Sequence, residues 1–261
     1  MGLSKSNAPE VLNFVMTGPV RCGASVIQSA LANHPLIACH SSLLAEHDSE
    51  RRRHHERYFG PSGTTPDWLV AGHISGEQYL TNKIFDNPLH GERVIGVTVL
   101  YPHLHAHDLW DYLANWCRRG DFCLVQIKRN PIACFVASEQ ERREAVSSSD
   151  SHSKYPLIQS PLQVDIEALV SFVRMHAATD EKVARICDDR LEIGYSELVS
   201  DYPTVISEVL SFLDLPSGRR LRKGKFLGGQ GDFESKPAYW DYLQSRVPSD
   251  VRRYFEPEEF V

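Results

Sequence analysis

The stretch Thr17–Ser25, TGPVRCGAS, holds the residue types that bind a small anion. Backbone N–H groups in a glycine-containing turn, the positive end of a following helix and a guanidinium fork at Arg21 are the sources of positive potential that a phosphate or sulfate uses. Nucleoside triphosphatases need two glycines five apart and then Lys-Ser/Thr in such a loop; that spacing is absent. A strand-to-helix turn whose glycine serves geometry alone is the plain alternative, and the loop by itself leaves both readings open. Cys22 sits in the turn, where a helix dipole stabilises a thiolate. A phosphatase loop closes on an arginine where this chain has Gln28, so Cys22 is not read as a nucleophile. Other chemistry-bearing residues gather in KRNP (Lys128–Pro131), in the basic run LRKGKF (Leu221–Phe226) and in the histidines His40, His103, His105 and His107.

These residues need elements to hold them, and short apolar runs alternate with longer helical patterns along the chain, the signature of parallel strands joined by crossover helices. Strands are expected at Leu12–Thr17, Arg93–Leu100, Phe122–Lys128 and Leu191–Gly194. Helices are expected at Ser25–Ala32, at Asp108–Cys117 with an aspartate cap, from Pro131 to about Ala145, and from about Val164 to Asp188. The pattern gives an α/β class: a three-layer, P-loop-like fold with a central parallel sheet flanked by helices, in a single domain over 1–261. A serine- and proline-rich stretch at about 147–163 reads as a surface loop or lid, and Glu46–Pro66 is charged and poor in core residues.

With 261 residues, 42% hydrophobic and 24% charged, the chain is neither disordered nor fibrous. A net charge of −6 argues against wholesale nucleic-acid or anionic-membrane binding. No run reaches the length of a membrane span, and the first ten residues lack a secretory layout, so a cytoplasmic protein acting on a small molecule is expected. The six cysteines show neither zinc-site spacing nor the density of a disulfide scaffold, and no metal is expected.

Taken in order, four segments resemble the sulfotransferases that use 3′-phosphoadenosine 5′-phosphosulfate, especially bacterial small-molecule and glycolipid members. Their loop after the first strand has the form P-R/K-S-G-T-T/S, and this chain has Val20-Arg21-Cys22-Gly23-Ala24-Ser25. Their third strand is followed by arginine, often Asn-Pro, and a serine; here Arg129, Asn130, Pro131 and Ser138 stand there. Tyr195 and Leu198 in IGYSELVS match the Tyr-x-x-Leu segment, and Arg222, Lys223 and Gly224 match an RKG element followed by Gly231-Asp232-Phe233. The resemblance implies that Arg21, Cys22, Gly23, Ala24 and Ser25 hold the 5′-phosphate side and that Arg129, Ser138, Arg222, Lys223 and Gly224 hold the 3′-phosphate. It also implies that Tyr195 stacks near the adenine. Val20, Cys22 and Ala24 depart from the loop pattern, Ser41-Ser42 replace Gly-Glu, and Thr98 replaces a lysine.

Sulfuryl transfer from such a donor to a hydroxyl, less readily an amine, is dominated by positioning and electrostatics, as phosphoryl transfer is. Arg21 is the expected contact to the leaving and sulfuryl oxygens. His103, beyond the second strand, is the expected base, with His105, His107 and His40 as rivals. Two other readings stay open: a relative that binds nucleotide or scaffolds a partner without turnover, and a small-molecule kinase with a divergent loop. The kinase should show Lys-Ser/Thr and a magnesium-binding aspartate, and neither is visible. Trp68, His73, Tyr101 and Trp110 are candidates for lining an acceptor pocket or for filling a core. Acceptor and oligomeric state are not legible.

Overall fold

The computed structural model describes residues 11–40, 75–86, 91–120, 122–149, 164–216 and 237–255. Five strands, β1 (Leu12–Thr17), β2 (Ile37–His40), β3 (Val94–Thr98), β4 (Phe122–Lys128) and β5 (Arg190–Gly194), form one sheet in the order β2-β3-β1-β4-β5. Every pairing is parallel. From β1 the chain passes to one side of the sheet, through β2 and β3, and then crosses to build β4 and β5 on the other. The loops after the adjacent strands β1 and β4 therefore lead in opposite directions, which opens a crevice at their carboxyl ends, where ligands of open α/β sheets gather.

The helices are α1 (Ala24–Leu31), α2 (Gly76–Tyr79), α3 (Tyr101–Ala106), α4 (Trp110–Arg119), α5 (Pro131–Ser149), α6 (Ile166–Ile186), α7 (Tyr195–Ser200), α8 (Tyr202–Phe212), α9 (Pro237–Arg246) and α10 (Ser249–Arg252); a π-helical segment, Leu80–Phe85, continues α2. Strand alternation divides the core. Phe14, Met16, Val125, Ile127 and Ile193 face α1 and α8, while Val15, Ile95, Val97, Val99 and Leu124 face α3, α4 and Val183 of α6. A further cluster, with Ile132, Val136, Leu169, Val173, Leu243 and Val251, joins α5 and α6 to α9 and α10. The close stacking of β1 on β3 depends on Gly96: a Cβ there would lie 1.9 Å from the ring of Phe14, its register partner.

The expected α/β sheet is present, with four differences. The four-residue β2 is too short to carry a periodic signal, so no strand was expected at Ile37–His40. Asp108 does not cap α4: it adopts a left-handed backbone with φ 46°, and Leu109 holds the N-cap position without a side-chain bond. The histidine-bearing segment after β3 is itself a short helix, α3. Finally, α5 runs to Ser149, so Ser147–Ser149 belong to a helix, while the rest of the expected lid lies outside the described residues. Among the described residues no helix is long and apolar enough to cross a membrane, and no group of His, Cys, Asp and Glu is arranged to hold a metal ion.

Candidate functional site

Between β1 and α1 the backbone takes two left-handed residues, Arg21 at φ 64° and Gly23 at φ 89°. Gly23 is the N-cap of α1 and has no room for a side chain: a Cβ would lie 2.9 Å from Leu198 Cδ2 and 3.2 Å from the Tyr195 ring. The loop is thus pressed against the first turn of α7, and its curl is of the kind that forms backbone anion concavities. Cys22 points away from that concavity into the core and is 1% exposed. Burial pushes its thiol up to about 12, outweighing the Ala24 amide and the Arg129 charge. The stabilised thiolate expected from the helix dipole is therefore corrected: Cys22 stays a neutral thiol, and only its backbone can serve a ligand. Ala24 is buried in the first turn of α1, and Ser25 is exposed beside it.

Arg129, at the end of β4, closes the other side of the crevice. Its Nη1 donates to the Arg21 carbonyl at 2.6 Å, and its guanidinium lies 3.9 Å over the Tyr195 ring. Among the described residues it forms no ion pair. Its full charge is thus without a carboxylate partner among the described residues, which is the electrostatic requirement of a bound anion. Arg21 makes an ion pair at 3.2 Å with Glu141 of α5, itself 61% exposed, a contact that solvent screens and an incoming anion can replace. Asn130 and Pro131 are structural: Asn130 Oδ1 accepts from the amides of Ile132 and Ala133, its Nδ2 donates to the Tyr254 carbonyl, and Pro131 opens α5. Ser138 stands on the same helix, half-exposed, its hydroxyl donating to the Cys134 carbonyl at 2.8 Å. The structure therefore brings together Arg21, Gly23, Arg129 and Tyr195. Arg222, Lys223, Gly224, Ser42, Trp68 and His73 lie outside the described residues.

The four histidines have distinct surroundings. His40 is 4% exposed, and burial lowers its pKa to about 4 despite the Glu92 charge, so it is neutral near pH 7. His103 Nδ1 accepts the Leu100 amide at 3.2 Å. Its ring lone pair is engaged in capping α3. His107 packs against Gly76 of α2. His105 is exposed, and its Nε2 lies 2.8 Å from Thr179 Oγ1. The single Thr179 proton is directed at the Met175 carbonyl, 2.7 Å away. Thr179 therefore accepts, His105 Nε2 carries a proton, and Nδ1 holds the lone pair. Tyr101 and Trp110 are buried in the core, and Thr98 Oγ1 is buried without a hydrogen-bond partner among the described residues.

Sequence reasoning passed over the group that seats α3. The Tyr101 hydroxyl donates to Asp180 Oδ1; Gln126 Nε2 donates to the same oxygen at 3.1 Å and to Tyr101 at 2.9 Å; His176 Nδ1 meets Asp180 Oδ2 at 3.2 Å. Tyr101 also gives its amide to the Gly18 carbonyl at 2.9 Å, so this network fixes α3 to the anion loop. Two successive residues of α6, Thr179 and Asp180, thereby hold His105 and Tyr101, which are neighbours one turn apart on α3. A signal existed: Asp180 and His176 interrupt the stripe Leu169, Val173, Val183 at four- and three-residue spacings, where a core-facing helix is otherwise apolar.

The sequence matches no protein-family model and no curated protein. Its structure is similar to that of a sulfotransferase from Alicyclobacillus acidocaldarius, with 15% identity, 94% of each chain covered and a TM-score of 0.52. It is also similar to the sulfotransferase domain from the curacin biosynthetic pathway (13%, 94% of this chain and 95% of that one, TM-score 0.49) and to mouse sulfotransferase SULT7A1 complexed with PAP (14%, 96% and 89%, TM-score 0.46). The fold is the one sulfotransferases have.

Proposed function

We propose that this chain, built on the sulfotransferase fold, is an enzyme that moves a sulfuryl group from 3′-phosphoadenosine 5′-phosphosulfate to a hydroxyl of a small acceptor. The observation that carries the proposal is the Arg129 guanidinium, without a carboxylate partner among the described residues, stacked on Tyr195 and tied to the anion loop. The residues present fit the donor in their chemistry. A left-handed glycine leaves the loop open to an anion, two arginines flank it, and an aromatic face stands beside one of them. When bound, the donor supplies an activated sulfuryl on a nucleotide phosphate.

The chain's own residues would then divide the work. Arg21 supplies fixed positive charge at the loop and, remaining protonated, stabilises developing negative charge without moving a proton. Arg129, with Tyr195 beneath it, binds the nucleotide's second phosphate and orients it. His105 takes the acceptor's proton at Nδ1, because Thr179 holds the opposite nitrogen protonated. His103, whose Nδ1 already accepts the Leu100 amide, would give up that cap to do the same.

Thermal unfolding with 3′-phosphoadenosine 5′-phosphate, against AMP and ATP plus magnesium, tests the donor assignment. At a hundredfold excess over its Kd the bisphosphate adds about 2.7 kcal/mol, a rise of roughly 5–11 °C for a chain of this size. An equal rise with AMP removes the 3′-phosphate assignment, and a rise with ATP plus magnesium alone replaces the proposal with a kinase.

A further inference from the structure

A cavity of about 700 Å³ lies at the amino-terminal ends of β1 and β4, bounded by the last turn of α4 and by the π-helical segment Leu80–Phe85. The anion loop leaves the other end of β1, roughly 13 Å along the strand from Asn13. The wall of the cavity is aromatic. Phe122 stacks on Trp116 with ring centroids 3.9 Å apart, and Phe85 meets both rings edge-on at 4.8 Å. Three polar side chains interrupt that wall. Asn13 stands between Val11 and Val15 on the face of β1 that packs beneath α4, and its Oδ1 is sealed from solvent with no hydrogen-bond partner among the described residues. Asp86, the C-cap of the π-helical segment, and Arg119, in the last turn of α4, are both exposed, and among the described residues neither is in an ion pair. The Thr81 hydroxyl, by contrast, is engaged by the Tyr112 hydroxyl.

An amide oxygen shut away without a donor destabilises a fold, and its position in the wall of a cavity gives it a use. The broad terminal torsion of asparagine lets the amide turn either its acceptor or its donors to a ligand. Arg119 offers a two-pronged fork for a carboxylate, and Asp86 an acceptor pair for an ammonium. The complement of an aromatic wall, one cation, one carboxylate and one amide is a zwitterion that carries a ring, and a largely apolar cavity of this volume with few polar groups is the form that small-molecule sites take. We propose that this cavity binds an aromatic α-amino acid, with its ring against Phe122, its carboxylate on Arg119, its ammonium on Asp86 and a hydrogen bond to the Asn13 amide. The site is separate from the crevice of Arg21 and Arg129, and the inference is independent of the sulfotransferase reading.

The test is calorimetric titration of the full chain with L-phenylalanine, beside 3-phenylpropionate, which lacks the ammonium, phenethylamine, which lacks the carboxylate, and L-alanine, which lacks the ring. L-Phenylalanine should bind with a Kd of about 1 mM or tighter, and each of the others roughly tenfold more weakly or worse. Arg119→Ala should weaken L-phenylalanine to the level of phenethylamine, and Asp86→Ala to the level of 3-phenylpropionate, because deleting either partner of a contact removes the same contact. Asn13→Ala should weaken it several-fold without lowering the urea midpoint, since the amide lost had no protein partner. Saturation with 3′-phosphoadenosine 5′-phosphate should leave the affinity unchanged. Absence of L-phenylalanine binding, equal binding of L-phenylalanine and 3-phenylpropionate, full affinity in Arg119→Ala and Asp86→Ala, or competition with the bisphosphate overturns the proposal.

Discussion

Removing the Asp180 carboxylate tests whether α6 holds α3 in place. It accepts from Tyr101 and Gln126 at Oδ1 and from His176 at Oδ2, and these donors are 1%, 0% and 2% exposed. In Asp180→Ala the Gln126 amide keeps the Tyr101 oxygen at 2.9 Å, but the Tyr101 hydroxyl and the His176 N–H lose their acceptor. A buried donor left unpaired costs about 1–3 kcal/mol, so two cost roughly 2–6 kcal/mol. The Asp180 side chain is 29% exposed, so water can enter the gap; this puts the expected loss at about 3 kcal/mol. Asp180→Asn keeps an acceptor for Tyr101 and should lose about 1 kcal/mol. Urea unfolding at pH 7 gives both numbers. The pH dependence has a definite sign. Burial alone would raise the Asp180 pKa, but His176, Tyr101 and Lys128 outweigh it and hold it low. Its contribution is thus full above the ordinary aspartate range and lost as pH falls through the depressed folded value, so the gap between wild type and Asp180→Asn should close there. An alanine variant within 1 kcal/mol of wild type at pH 7, with an unchanged urea dependence, would show that the network does not hold α3.

Four further outcomes are expected. Gly23→Ala forces an L residue to φ 89° and drives its Cβ into Leu198 and Tyr195; it should cost about 2–4 kcal/mol in urea unfolding and weaken bisphosphate binding more than tenfold. Arg129→Ala should raise the Kd for 3′-phosphoadenosine 5′-phosphate roughly tenfold to a hundredfold while changing that for AMP far less, as calorimetry would show. His40, buried and neutral, binds no proton until about pH 4, whereas the unfolded chain binds one near pH 6.5; stability should fall by about 3 kcal/mol between those values, and His40→Asn should flatten that part of the urea-derived profile. His105→Ala should reduce turnover roughly a hundred- to ten-thousand-fold with bisphosphate binding unchanged, and added imidazole should restore part of the rate; full activity in this variant removes His105 as the proton acceptor.

Local chemistry accounts for what was legible beforehand. Largely apolar segments of six and seven residues at β1 and β4, each bounded by turn residues, point to buried parallel strands. Pro131 announces the start of α5 because a missing donor does no harm in the first turn, while the Asn130 side-chain cap came to light only in the structure. The Arg21 and Arg129 segments stand out because each follows a strand, and the sheet then sets them on either side of one crevice. Asp108 was misread as a cap of α4 because it ends α3 instead, a helix that was not expected: its left-handed backbone lets the Leu109 amide return to the Leu104 carbonyl at 3.1 Å.

The state of individual side chains was set at longer range. By itself the sequence determined the class of fold, the order of the anion-binding segments and the positions of the charges, since these follow from periodicity and from residue chemistry a few positions apart. Only the tertiary structure decided that Cys22 is a buried neutral thiol and that His105 presents Nδ1 because Thr179, 74 residues away, holds its Nε2. Protonation and tautomer depend on burial and on the partner brought alongside, and both come from packing between elements distant in the chain.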